Sequence, residues 1–294
     1  MSIFRSVVFA LISISFIHPI FATGAKIRVY DTQLQKFISP LDLFTAVPRQ
    51  GQLVLGEEHY QEAIQKAEGD IVAGVLSAQA REKSFTICWE FLNYPDQKII
   101  NTTFSQFTQQ LISITEVFAQ LFTRSKPMLN YPYRHLFEVA RSFKGKMVGI
   151  NAPRKWKQVI TKNGIAKLDK KLVPNNMELG GPFYKERFIK AISNHVSPEK
   201  VPNYFEAQSY TDSVMAESIQ KMSNTKDLKF VVVGSFHSDF NDGLVAQLKK
   251  YNPKPTTSIK IIDITEFSNT ERQNLFNPHP KYGVIADYIY TVDN

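Results

Sequence analysis

An α/β fold, with a mainly parallel central sheet, helices on both faces and a helical insertion, is predicted by three observations. The runs Leu53-Val54-Leu55, Met147-Val148-Gly149-Ile150 and Phe230-Val231-Val232-Val233 are continuous rather than alternating in hydropathy. That is the pattern of strands buried on both faces. Stretches of helical period separate these runs, and strands linked through helices pair in parallel. The runs stop at glycine or at polar residues, which gathers chemistry at the strand ends where ligands of open α/β sheets bind.

Each element has its own signal. Residues 26–31 read as a short strand. Ser39-Pro40 opens a helix through Leu41 and Phe44, with Ser39 as N-cap and Pro40 in the first turn. A core strand at 52–56 precedes a helix over 58–80, whose Ile64, Ile71, Val75 and Leu76 share one side, although Gly69 and Gly74 weaken it. A strand at 85–90 follows, then one long helix over 104–122 carried by Phe107, Leu111, Ile114, Val117, Phe118 and Leu121. Pro132 starts a helix that ends near Gly145. The strand at 147–150 runs into Asn151-Ala152-Pro153-Arg154, where Pro153 marks another helix start. Residues 169–182 carry Pro174, Asn175, Gly180 and Gly181, the chemistry of an irregular insertion. Helices at 183–195 and 204–222, a strand at 229–234, a helix at 243–251, a strand at 259–264 and an edge strand at 284–290 complete the chain.

The strand at 52–56 ends in Gly56-Glu57-Glu58-His59, and the strand at 229–234 ends in Gly234-Ser235-Phe236-His237. Either motif alone reads as a loop histidine bonding its own turn. Two copies of strand-Gly-x-x-His in one sheet place His59 and His237 on the same edge. Glu90 ends a third strand, and Asn151 and Arg154 follow a fourth. Four polar strand ends thus converge, although singly Glu90 also suits a helix cap and Arg154 a surface charge.

Residues 1–25 read as a signal peptide: Arg5 is a short basic region, 7–17 is apolar, and small residues near Ala22 and Ala25 suit cleavage. The apolar run is too short to span a bilayer, and no cysteine near the cleavage site offers a lipid anchor. Residues 26–294 are expected to form one exported, periplasmic or extracellular domain. The formal net charge is +8, and losing Arg5 leaves +7. The lysines are scattered, so a solvated surface is expected and nucleic-acid binding is not. The single Cys88 lies in an apolar run and reads as a small core side chain.

Taken in order, the motifs resemble those of the ChaN-like haem-binding family, in the superfamily of the erythromycin esterases and the Tiki/TraB metalloproteases. They are Gly56-Glu57-Glu58-His59, Glu90, Tyr133, Asn151-Ala152-Pro153-Arg154, Gln208-x-x-x-Asp212-x-x-Met215-Ala216 and Gly234-Ser235-Phe236-His237. They cover nearly all of 26–294. Where that family has Asp or Asn after its first histidine, this chain has Tyr60.

The resemblance implies two function classes. The first is binding of haem by an exported protein of haem or iron handling, with a homodimer and outer-membrane haem-uptake components as partners. Tyr133 holds the family's tyrosine position and is its implied ligand to the haem iron, with Tyr60 and Tyr210 as local rivals, since tyrosinate is a known axial ligand. Tyr133 follows Pro132, where its ring is expected to project past the sheet edge. Arg134 and Arg154 are the implied propionate partners, with His59 and His237 beside the cofactor. The second class is hydrolysis by Glu57, His59, Glu90 and His237, with His59 and His237 as alternative ligands to a divalent metal. No Gly-x-Ser-x-Gly motif accompanies them, which argues against a serine nucleophile.

Overall fold

The computed structural model describes residues 26–80, 85–122, 127–222 and 227–294. The expected signal peptide at 1–25 lies outside the described residues. Among the described residues eight strands form one sheet: β1 (Lys26–Asp31), β2 (Lys36–Ile38), β3 (Gly51–Glu57), β4 (Phe85–Asn93), β5 (Lys146–Asn151), β6 (Leu228–Gly234), β7 (Thr256–Asp263) and β8 (Tyr288–Asp293). Their order is β2-β1-β8-β7-β3-β6-β4-β5. The six strands from β8 to β5 pair in parallel, and β1 pairs antiparallel with both β2 and β8.

The continuous apolar runs are buried on both faces, as their composition dictates. Leu53, Leu55, Ile87, Trp89, Phe230 and Val232 face one core, shared with α1 (Pro40–Ala46), α2 (Glu62–Ala78), α3 (Gln97–Thr108), α4 (Ile114–Leu121) and α5 (Arg134–Ser142). Val54, Cys88, Val231 and Val233 face the other, beneath α8 (Val201–Gln220) and α9 (Gly243–Tyr251). Each fully buried Val, Leu, Ile or Phe contributes about 1.5–3 kcal/mol relative to exposure. Helix α6 (Arg154–Asn163) packs on α8, α7 (Pro182–Ile192) closes the insertion, and α10 (Asn269–Asn274) follows β7. Among the described residues no helix is long and apolar enough to cross a membrane.

Three expectations are corrected. The single helix at 104–122 is two, because Gln110 turns left-handed at φ 60° and Ser113 starts α4 with a capping box to Glu116. The helix expected from residue 58 begins at Glu62, because Tyr60 is also left-handed, at φ 64°. The last strand lies inside the sheet, not at its edge, because the β1–β2 hairpin adds outside it and buries Ile289, Tyr290 and Val292. The hairpin strand β2 and helix α10 are too short to show as periodic patterns.

Candidate functional site

Parallel pairing brings the ends of β3, β4, β5 and β6 to one edge of the sheet. Glu57 lies opposite Gly234, and Asn93 opposite Asn151. The register of β4 shifts between Trp89 and Asn93. Such an irregularity re-aims side chains, and here Glu90 turns back so that its Oε2 accepts from the Gly234 backbone N–H at 2.7 Å. Glycine is required beside the irregularity: a Cβ on Gly149 would stand 2.5 Å from the Asn93 carbonyl.

The β3 end carries an open cluster. His59, its side chain 34 % exposed, places Nδ1 2.8 Å from Glu57 Oε1. The Tyr133 hydroxyl donates to the same oxygen at 2.7 Å, and Gln65 donates its amide to Glu57 Oε2. Beneath them Glu68 is fully buried, and among the described residues neither of its carboxyl oxygens has a hydrogen-bond partner. Burial first, and then the charge of Glu57, hold Glu68 protonated well above the usual carboxyl range. For His59, burial works against the charged form. The hydrogen bond to Glu57 and the charges of Glu90 and Glu57 outweigh it, so His59 titrates above its ordinary value. Tyr60 is 43 % exposed, and its ring lies 5.9 Å from His59, 5.6 Å from Phe91 and 6.1 Å from Tyr133.

The β6 end carries a closed cluster. His237 is 7 % exposed, with Nδ1 2.6 Å from Asp212 Oδ1 and Nε2 3.3 Å from Glu90 Oε1. The Tyr184 hydroxyl donates to Asp212 Oδ2 at 2.8 Å, and Gln208 Nε2 donates to Tyr184 at 3.0 Å. Burial alone would discharge this imidazole, but the charges of Glu90 and Asp212 raise it to about 10. Glu90 answers it: burial pushes its carboxyl up, and the His237 charge brings it down to about 2. The pair is an imidazolium facing a carboxylate at neutral pH.

The clusters meet over Gly234, where an added Cβ would lie 2.7 Å from His59 Nε2 and 3.6 Å from Glu90 Oε2. Ser235 Oγ donates to the Glu57 carbonyl at 2.8 Å, and the buried Lys260 donates to Ser235 and pairs with Asp239 at 3.1 Å.

The sequence-predicted Glu57, His59, Glu90, His237 and Tyr133 therefore stand together. The expectation that Tyr133 projects past the sheet edge is corrected: its ring is fully buried against Trp89 and Phe91 at 4.7 and 5.2 Å, because its hydroxyl finds Glu57 below the rim. Burial, then Glu57 and Glu68, raise this phenol far above its ordinary value. Tyr210 is buried too and donates to the Leu172 carbonyl at 3.0 Å. Arg134 is engaged with Glu62, at 2.9 Å from Nη1, while Arg154 is exposed at the start of α6. Among the described residues no group of three or more His, Cys, Asp or Glu side chains is disposed to hold a metal ion.

Sequence reasoning assigned no role to Asp212, Gln208, Tyr184, Gln65 or Glu68. Two signals were present. Gln208 and Asp212 are four apart on α8 and share a face, and Glu68 interrupts the apolar stripe Ile64–Ile71–Val75 of α2.

A family model described as "Haem-binding uptake, Tiki superfamily, ChaN" matches residues 43–248. No curated protein matches the chain. A solved structure of cofacial haem binding to ChaN of Campylobacter jejuni superposes with a TM-score of 0.67 at 17 % identity, covering 91 % of this chain and 97 % of that one. The type III effector HopBA1 gives 0.45 at 11 % identity over 87 % and 94 %. A mutant erythromycin esterase, EreC, in its open conformation gives 0.38 at 12 % over 82 % and 77 %.

Proposed function

The chain belongs to the ChaN haem-binding uptake family of the Tiki superfamily, and from that premise we propose that it is an exported haem-binding protein of haem or iron handling, whose axial ligand is Tyr60. The observation that carries the ligand is the backbone of Tyr60. A bulky residue at φ 64° is rare and strained, and here the strain holds an exposed phenol on the rim beside His59 and Phe91.

The residues at the rim suit haem. Ferric haem accepts a phenolate oxygen as axial ligand. Tyr60 is 43 % exposed, whereas Tyr133 is buried with its hydroxyl committed to Glu57. Phe91 offers an aromatic face, and His59 a partly exposed ring. Burial, Glu57 and Glu90 raise the Tyr60 phenol, so ligation displaces its proton. Arg154 is open at the rim for a propionate, while Arg134 is taken by Glu62.

Titration of the purified 26–294 protein with ferric haem tests this reading, together with sizing for a homodimer. The expected result is a saturable Soret band with a high-spin charge-transfer band. Absence of saturable haem binding sinks it. Intact mass of the exported protein tests the leader: cleavage after Ala22 or Ala25 is expected, and retention of Met1 refutes export by this route.

Hydrolysis by Glu57, His59, Glu90 and His237 is the second reading, supported by the Asp212–His237–Glu90 alignment. It ranks second because a water-activating base has to be unprotonated and free to take a proton: His237 is held cationic up to about pH 10, and the Glu90 carboxylate is engaged by His237 and the Gly234 N–H.

A further inference from the structure

Lys157 lies on α6, one turn beyond Arg154, and reaches back to the end of β5. Its ammonium is partly buried, and its sole polar contact among the described residues is a long 3.4 Å approach to Asn151 Oδ1. That oxygen already accepts the Ala152 N–H at 2.7 Å. Glu90, whose charge acts on Lys157, is already engaged by His237 and by the Gly234 N–H. Every other half-buried basic group at this edge has a carboxylate within 4 Å: His59 has Glu57, His237 has Asp212 and Glu90, Lys260 has Asp239. A partly desolvated ammonium without a counter-charge is costly, so an arriving anion there replaces lost hydration.

We infer that Lys157, with Arg154 beside it at the start of α6, is a carboxylate-binding subsite that takes a propionate of the bound porphyrin; this rests on the haem reading above. The placement supports it. The sheet order β3-β6-β4-β5 puts Glu90, on β4, between His59 at the end of β3 and Lys157, which reaches Asn151 at the end of β5. A flat ligand seated on Tyr60 and Phe91 therefore has Lys157 across the rim. The lowered basicity of Lys157, caused by burial first and worsened by Arg154, is the state a carboxylate would relieve. A carboxylate is the ligand class because the ammonium acts as a point charge flanked by one guanidinium.

The test compares ferric protoporphyrin with its dimethyl ester, titrated into wild type, Lys157→Met and Lys157→Arg. Wild type is expected to favour the diacid by about tenfold, a single charge-assisted contact. Lys157→Met loses that preference with an unchanged Soret position, and Lys157→Arg keeps most of it. A Lys157→Met protein that retains the full preference overturns the subsite. A second measurement is independent of haem: NMR of 13C-methylated lysines during addition of sodium propionate. A saturable shift of the Lys157 resonance supports the subsite even where neither porphyrin binds and the haem reading has failed. No shift, with haem binding intact, overturns the subsite alone.

Discussion

His59 and His237 end the same strand-Gly-x-x-His motif, yet one is 34 % exposed at its side chain and the other 9 %. The difference lies in the segments that come after the two strands. After β3 the chain takes a left-handed residue at Tyr60 before α2 begins, leaving the loop in solvent. After β6 the loop is roofed by α7 and α8, which supply Tyr184, Gln208 and Asp212. A motif therefore fixes where on the sheet a histidine stands, and the covering helices decide its charge and access. The open half leaves its groups accessible at the rim, and the closed half holds its own in a buried network.

The largest effect that sharpens this contrast is on ligand binding. Tyr60→Phe is expected to abolish the charge-transfer band and weaken ferric haem by more than about tenfold, with thermal stability unchanged. Tyr133→Phe is expected to keep the spectrum and cost about 1–2 kcal/mol of stability, since it leaves a Glu57 oxygen short of a donor. Reversal of these two outcomes would return the ligand to Tyr133. Next in size, Asp212→Asn is expected to destabilise by about 3 kcal/mol in urea unfolding, because the buried imidazolium loses its closest counter-charge. A cost near zero would show that the closed half is not held by charge.

The buried pair also makes stability depend on pH at both ends of the scale. His237 titrates at about 10 in the fold against 6.5 ordinarily. Its contribution is thus complete below pH 6.5 and is lost as pH rises to about 10. Glu90 is lowered from 4.5 to about 2, so its contribution is present above pH 4.5 and lost as pH falls toward 2. The Tm difference between wild type and His237→Gln should therefore be greatest between these limits and shrink on both sides. A difference that stays flat from pH 6.5 to 10 contradicts the buried ion pair. The smallest effect comes from the open half. Glu68 keeps its proton in the fold but releases it when unfolded, so stability is lost as pH rises above 4.5. Glu68→Gln is expected to add about 1 kcal/mol at pH 8, read by urea unfolding, because an amide does not ionise on unfolding and so removes that cost.

Much of this was legible in the sequence, and for physical reasons. Strands buried on both faces have to be continuously apolar, so β3, β4, β5 and β6 announced themselves, and the polar residues at the ends of β3, β4 and β6 located Glu57, His59, Glu90 and His237. The hidden part depends on contacts between distant segments. Tyr184 reaches Asp212 from 28 residues away and Tyr133 reaches Glu57 from 76. No local pattern encodes whether a tyrosine faces solvent or a buried carboxylate. The αL turn at Tyr60 was invisible for a different reason: tyrosine is a poor residue for it, and the residue type alone pointed to helix.

One contact joins the halves. Ser235 Oγ holds the Glu57 carbonyl, and Lys260 holds Ser235 from β7. Mechanically this is a strut across the jaws. The backbone of the β3 loop cannot lift without breaking a bond to the β6 loop, so the two travel as one body. A ligand arriving at this edge then meets a stiff frame carrying a few free side chains. Its association should be set by encounter and side-chain rotation, with no slow opening step ahead of it.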